Sequence, residues 1–209
     1  MKVKTKEILD KLIKMFPDAK CELNFSTPYE LLVATILSAQ CTDIRVNKVT
    51  QELFKTHNTP QHFASLDYQE LEKMIHSCGF YRNKAKGIID SARAILIKHN
   101  GEVPNDLEEL IALKGVGRKT ANVVLSNAFG GQTIAVDTHV FRTSHRLGLS
   151  NGKTPYEVEK DLMNVFEPPE YSIVHHLLIF LGRYVCKSRS PECSKCDLKE
   201  ICKYYKEKN

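Results

Sequence analysis

An all-α fold is predicted by three features of the sequence. Apolar residues recur at helical spacing through most of the 209 residues, and Thr-Pro pairs at Thr27-Pro28, Thr59-Pro60 and Thr154-Pro155 each offer a cap and a first-turn proline. The one short piece that looks extended is Thr133-Ile134-Ala135-Val136. No internal repeat or low-complexity tract interrupts the pattern.

Taken in order, Ile8, Leu12, Ile13 and Phe16 mark an amphipathic helix over 5–16 with no apolar face nearby in sequence, so its partner must be distant. Thr27-Pro28 opens a strongly apolar helix, Tyr29 to about Ser38, expected to be a central core helix. Gln40-Cys41-Thr42-Asp43 interrupts it, and Thr42 or Asp43 caps the next helix, which carries Val46, Val49, Leu53 and Phe54. Thr59-Pro60 starts a short helix and Asp67 caps another through Ile75. Gly79-Phe80-Tyr81 is a second interruption before a long run from Lys84 to His99, which Asn100-Gly101 ends.

Asn105 is placed to cap a helix carrying Leu107, Leu110, Ile111 and Leu113. Ala121, Val123, Val124, Leu125 and Ala128 continue a second helix until Gly130-Gly131 stops it. Beyond the extended piece, Asp137 caps a helix from Thr138 to Leu147, and Thr154-Pro155 opens another to Phe166. Pro168-Pro169 breaks that one, and a last apolar helix from Glu170 to about Tyr184 leads into a polar, helix-poor tail.

Between the two middle helices lies Gly115-Val116-Gly117-Arg118-Lys119-Thr120, which reads as the hinge of a helical hairpin. Glycines admit backbone conformations that side chains forbid, and their amides can converge with a helix N-terminus on an anion such as phosphate. Neither familiar phosphate loop fits. A Walker loop needs glycine where Arg118 stands, and a dinucleotide fingerprint needs a third glycine at Thr120 and a preceding strand. An ordinary solvated helix–helix turn is the competing reading.

The formal net charge is +5, and from Arg183 to Asn209 eight Lys/Arg face four Asp/Glu, so that segment supplies +4 of it. A polyanion partner is compatible with this, as is simple solubility. No apolar run is long enough to span a bilayer, and the basic N-terminus is not followed by a signal-peptide core, so a soluble cytoplasmic protein is expected.

Seven cysteines divide unevenly. Cys21, Cys41 and Cys78 stand apart in apolar surroundings and read as small buried hydrophobes, while Cys186-x6-Cys193-x2-Cys196-x5-Cys202 crowd the tail. Four thiolates at this spacing imply a metal, and both zinc and a [4Fe-4S] cluster accept four cysteines. The loop between the first two ligands carries Lys187 and Arg189, which can meet phosphate or balance an anionic metal site.

Hairpin, later aspartate and terminal cysteines in this order resemble the endonuclease III family of DNA base-excision glycosylases. The resemblance covers nearly the whole chain. It is carried by Leu37-Ser38-Ala39-Gln40 with Thr42-Asp43, by Gly115 to Val124, by Ala135-Val136-Asp137-Thr138-His139-Val140-Phe141-Arg142, and by the cysteine spacing. It implies a two-lobed helix-hairpin-helix glycosylase, with DNA across the cleft and a [4Fe-4S] cluster held by Cys186, Cys193, Cys196 and Cys202. The six-helix lobe would span 21–131, and residues 1–20 would join 132–209 in the cluster lobe, giving the first helix its partner. Where family members usually have proline at the hairpin turn, this chain has Lys114.

By the same resemblance Lys119 is the nucleophile that attacks the sugar C1′ and forms a Schiff base, Asp137 stabilises the charge developing there, and β-elimination then nicks the strand. Gln40 resembles the family's inserted glutamine and Phe80 lies near its apolar wedge, while Gly115, Gly117, Arg118, Lys187 and Arg189 would meet the DNA backbone. The implied partner is double-stranded DNA containing damaged bases or abasic sites, bound by a monomer within the nucleoid, with oxidised pyrimidines as substrates. Competing readings are a non-catalytic DNA-binding metalloprotein and a mismatch-specific glycosylase. The adenine-removing branch of the latter generally lacks the hairpin lysine and carries a further domain, whereas this sequence has Lys119 and ends at Asn209.

Overall fold

The computed structural model describes residues 2–208 and contains no strand among them. Its backbone contacts separate two compact units, Cys21–Gly131 and Met1–Lys20 with Gln132–Asn209.

The unit Cys21–Gly131 is built around α2 (Pro28–Ser38), in which every residue from Tyr29 to Leu37 is buried. Around it pack α3 (Asp43–Leu53), α6 (Tyr81–Lys98) and α8 (Arg118–Phe129), with the short α4 (Pro60–Ala64) and α5 (Tyr68–Met74) against α6 and α7 (Leu107–Ile111) against α8. The caps expected at Thr27, Thr42, Thr59 and Asp67 are all present, Asp67 as a reciprocal capping box with Glu70. One cap is corrected. Asp106 rather than Asn105 starts α7, accepting from the amides of Glu108 and Glu109 at 2.9 and 3.0 Å. A carboxylate also suits a helix N-terminus better than an amide does.

The second unit packs α1 (Lys2–Met15) against α11 (Tyr171–Phe180), so Ile8, Leu9 and Leu12 find their distant partner in Val174, Leu177 and Leu178. Phe16 meets the Phe180 ring edge-on at 6.1 Å. The helix α9 (Thr138–Leu147) lies against α10 (Pro155–Val165), α11 and α12 (Lys203–Lys208). Residues 133–136 do not form a strand; Ile134, Ala135 and Val136 are buried as irregular backbone leading to α9.

Two features of the tail depart from expectation. The last apolar helix ends in a π-helical turn, Leu181–Val185, whose widened pattern delivers the Cys186 amide to the Leu181 carbonyl. Beyond it the tail holds 3₁₀ turns at Cys193–Lys195 and Lys199–Ile201 and then α12, so it is less irregular than its polarity suggests.

Candidate DNA-binding and metal-ligating sites

The hairpin turn is held from below by its own apolar residues. Leu113 and Val116 are buried beside α6 and α8, while Lys114, Gly115, Gly117 and Lys119 are exposed and Arg118 half-exposed. Gly115 has φ +78, and a methyl group there would lie 3.1 Å from the Gly87 Cα; one on Gly87 would lie 3.2 Å from the Gly115 Cα. Two bare backbones therefore touch where α6 passes the turn. Gly87 escaped the sequence reading because a lone glycine inside a helical run gives no hint of its partner.

Gly117 serves a different purpose. Its φ is −94, it precedes Arg118 as the cap of α8 with no side-chain cap bond, and a methyl group on it would meet nothing within 4 Å. The first amides of α8 thus face outward beneath open space, flanked by Arg118 and Lys119. This arrangement suits an incoming phosphate oxygen.

Gln40 and Phe80 sit on two turns of the same unit. Both are exposed, Phe80 by 63%, and both adopt left-handed backbone, with φ 51 and 56. For residues other than glycine this conformation is strained, of order 1–3 kcal/mol. Asn100, also exposed, shares this backbone with φ 53, but asparagine tolerates it, so glutamine and phenylalanine held there are a reason to look for a function at Gln40 and Phe80. Cys41 is half-buried rather than wholly so, as is Cys21, correcting the reading of all three isolated thiols as core residues; Cys78 alone is fully buried.

In the other unit Asp137 caps α9, its Oδ1 accepting from the amides of His139 and Val140, each at 2.8 Å. The cap fixes the carboxylate and uses one oxygen only. Four residues apart on α9, Arg142 and Arg146 reach across to the cysteine loop. Arg142 donates to the carbonyls of Gly182 at 2.9 Å and Cys186 at 3.1 Å. Arg146 donates to the carbonyls of Lys187 and Ser188 at 2.8 and 2.9 Å, and to Cys186 Sγ at 3.3 Å. Sequence reasoning named neither as a support for the loop, although their i, i+4 spacing was visible.

Cys186, Cys193, Cys196 and Cys202 line one small, partly open cavity, with Leu147, Leu181 and Val185 among its walls. All four are free thiols. Burial pushes the Cys196 thiol up to about 11 and raises Cys202, whose thiol donates to the Arg146 carbonyl at 3.2 Å. Among the described residues no three His, Cys, Asp or Glu side chains are gathered closely enough for a single metal ion. Lys187 and Arg189 are exposed as expected, but Lys187 is already engaged: its Nζ lies 2.5 Å from Glu192, which also holds Lys195. Those two lysines hold the Glu192 carboxyl down to about 2.

A hairpin with an outward-facing helix start and two exposed, strained turns in the same unit are suited to meeting a polyanion. The family model for HhH-GPD superfamily base excision DNA repair proteins matches residues 33–168. Relatives named endonuclease III include those of Bacillus subtilis (strain 168), 52% identical over 93% of this chain and 90% of the relative, and Escherichia coli (strain K12), 48% identical over 97% and 96%. A solved structure of a trapped endonuclease III–DNA covalent intermediate, an estranged-adenine complex, superposes with a TM-score of 0.95 at 51% identity, covering all of this chain and 98% of that one. A non-covalent endonuclease III–DNA complex matches equally well. The chain belongs to the endonuclease III family.

Proposed function

We propose that Lys119 is the nucleophile of this enzyme, a DNA glycosylase and abasic-site lyase that acts on oxidised bases in base excision repair, and that oxidised pyrimidines in double-stranded DNA are its substrates. The observation that supports this most is the placement of Lys119, exposed in the first turn of α8 two residues after Gly117, an N-cap with no side chain to occupy the helix amides. A strand backbone seated on the amides of α8 would bring a sugar within reach of that amine. Arg118, Gly115 and Gly117 address the phosphates, and Arg189 with Lys187 adds charge from the tail. Gln40 and Phe80 fill the gap left when the damaged nucleotide leaves the stack, a step costing a few kcal/mol.

The Lys119 Nζ must be a neutral amine when it attacks C1′; its lone pair forms the C–N bond as the base departs with the electrons of the glycosidic bond. Loss of the amine proton and opening of the sugar ring leave a Schiff base, and β-elimination then expels the 3′ phosphate. Asp137, with one carboxylate oxygen fixed by the α9 amides, opposes the positive charge that builds on the sugar.

Cys186, Cys193, Cys196 and Cys202 would hold a [4Fe-4S] cluster. The donor set supports it: four soft thiols around one cavity, with Arg146 pointing at the Cys186 sulfur to offset thiolate charge. When bound, such a cluster ties the tail together and contributes a redox centre. Arg142 and Arg146 hold the Cys186–Ser188 backbone in place around it.

Lys119→Gln separates catalysis from phosphate binding. The variant should bind an abasic duplex within about tenfold of wild type, roughly 1.4 kcal/mol, yet form no borohydride-trapped adduct and nick no strand. Adduct formation at the wild-type rate under saturating DNA would transfer the role to another amine. The competing reading of a non-catalytic DNA-binding protein requires wild type itself to leave abasic DNA intact.

A further inference from the structure

The turns carrying Gln40 and Phe80 are joined underneath by two thiols that the glycosylase chemistry leaves unused. The Cys41 amide donates to the Ser38 carbonyl at 3.1 Å and the Cys78 amide to the Ile75 carbonyl at 2.8 Å, so each thiol is rooted in a tight turn. A methyl group on Gly79 would come within 3.5 Å of the Gln40 carbonyl oxygen, which shows how closely the turns approach. Cys78 is fully buried, Cys41 half-buried, both are free, and they are near enough for each to act electrostatically on the other's thiol.

A third group completes the cluster. Lys84, 5% exposed on α6, donates from Nζ to the Leu37 carbonyl at 2.8 Å, and its charge acts on both sulfurs. Burial pushes Cys78 up to about 11, and the Lys84 cation works against that shift. A nearby cation favours the thiolate, the form that oxidants attack.

We propose that Cys41 and Cys78 are an oxidisable dithiol, a modification site for hydrogen peroxide, and that closing it to a disulfide moves the Gln40 and Phe80 turns and weakens DNA binding. Cys41 reacts first because it is the less buried of the two residues. Its sulfur gives two electrons to the O–O bond, yielding Cys41 sulfenic acid and one water. The Cys78 sulfur then attacks the Cys41 sulfur, forming the S–S bond, and the departing hydroxide takes the Cys78 proton as a second water. A disulfide holds its sulfurs about 2.05 Å apart, closer than two free thiols can pack, so the turns must shift, and with them the strained residues they carry. The effect on DNA rests on the reading of Gln40 and Phe80 as DNA contacts; the chemistry does not.

The test is to titrate the full-length, metal-loaded protein with hydrogen peroxide, map peptides under non-reducing conditions, and measure affinity for an abasic duplex before and after dithiothreitol. The expected product is a Cys41–Cys78 linked peptide pair two hydrogens lighter than its parts. Affinity should fall about tenfold, equivalent to about 1.4 kcal/mol, and recover on reduction. Cys41→Ala should keep its affinity at the same dose, as should Cys78→Ser, which covers the case in which the first substitution disturbs its turn. Damage at the tail cysteines would lower all three proteins alike. Absence of the linked pair at every dose would overturn the dithiol. A linked pair with unchanged affinity would overturn the coupling to DNA, and Gln40→Ala and Phe80→Ala then separate the causes: lost affinity in those variants leaves the turns as DNA contacts and places the failure with the disulfide.

Discussion

The hairpin and the cysteine loop both present cations at the surface, yet they are positioned by opposite means. Around Gly115 the backbone itself is the packing surface: Leu113 and Val116 are buried, and Gly87 and Gly115 meet without side chains between them. Such a turn is finished when the core is finished. The loop from Cys186 to Cys202 has a cavity where the hairpin has a core, and it is held by two arginines, a three-membered ion pair and whatever the four thiols bind. A region organised by apolar packing and one organised by charge and ligation should fail under different insults.

The largest expected effect is on the loop. Cys196→Ala removes one of the four proposed cluster ligands, so the variant should lose most of its iron and much of its soluble yield, with DNA binding falling as a consequence. Wild type purified without oxygen should contain about four iron and four sulfide per chain. Stoichiometric zinc in place of iron would remove the cluster from this account. The hairpin should be indifferent to chelation: hydrogen exchange at the amides of α8 should be unchanged when the metal is stripped.

The next effect is on the hairpin. Gly115→Ala forces alanine into left-handed backbone, about 1–2 kcal/mol, and pushes a methyl group against Gly87, so a total loss of about 2–3 kcal/mol is expected in a denaturant titration. Gly117→Ala is the informative contrast, since its methyl group points into empty space. It should change stability by less than about 1 kcal/mol and still weaken DNA binding, because the space it fills is where a phosphate would come. Equal affinity in that variant would take Gly117 out of the interface.

The same contrast explains what could be read from the sequence. Helices were legible where a cap and an apolar stripe coincide, as at Thr27, Asp67, Asp137 and Thr154, because both signals are local. The four tail cysteines and the glycine turn were legible because their spacing is local too. Gly87, Arg146 and the Cys41–Cys78–Lys84 cluster were not, since each acquires its role from a partner 28 or more residues away, and no pattern in either segment signals the other. Lys187 was legible as a cation but not as an engaged one, because Glu192 reaches it only once the loop is folded.

That engagement gives the smallest of the expected effects and the sharpest test of charge as the loop's organiser. Glu192 titrates at about 2 in the folded chain against an ordinary 4.5, so its pairs are complete above pH 4.5 and are lost only as pH falls through about 2. Near neutrality pH cannot open them, and a substitution must. Glu192→Gln keeps the shape, releases Lys187 and Lys195, and raises the net charge by one. Were the lysines simply restrained, DNA affinity should rise and the slope of log affinity against log salt should steepen by about one, at ~0.9 per phosphate contact. Adding Lys187→Ala to Glu192→Gln should return the slope to its starting value, which adding Lys195→Ala instead should not. A slope that falls in Glu192→Gln would mean that the ion pairs aim Arg189, and that the loop loses more in order than it gains in free charge.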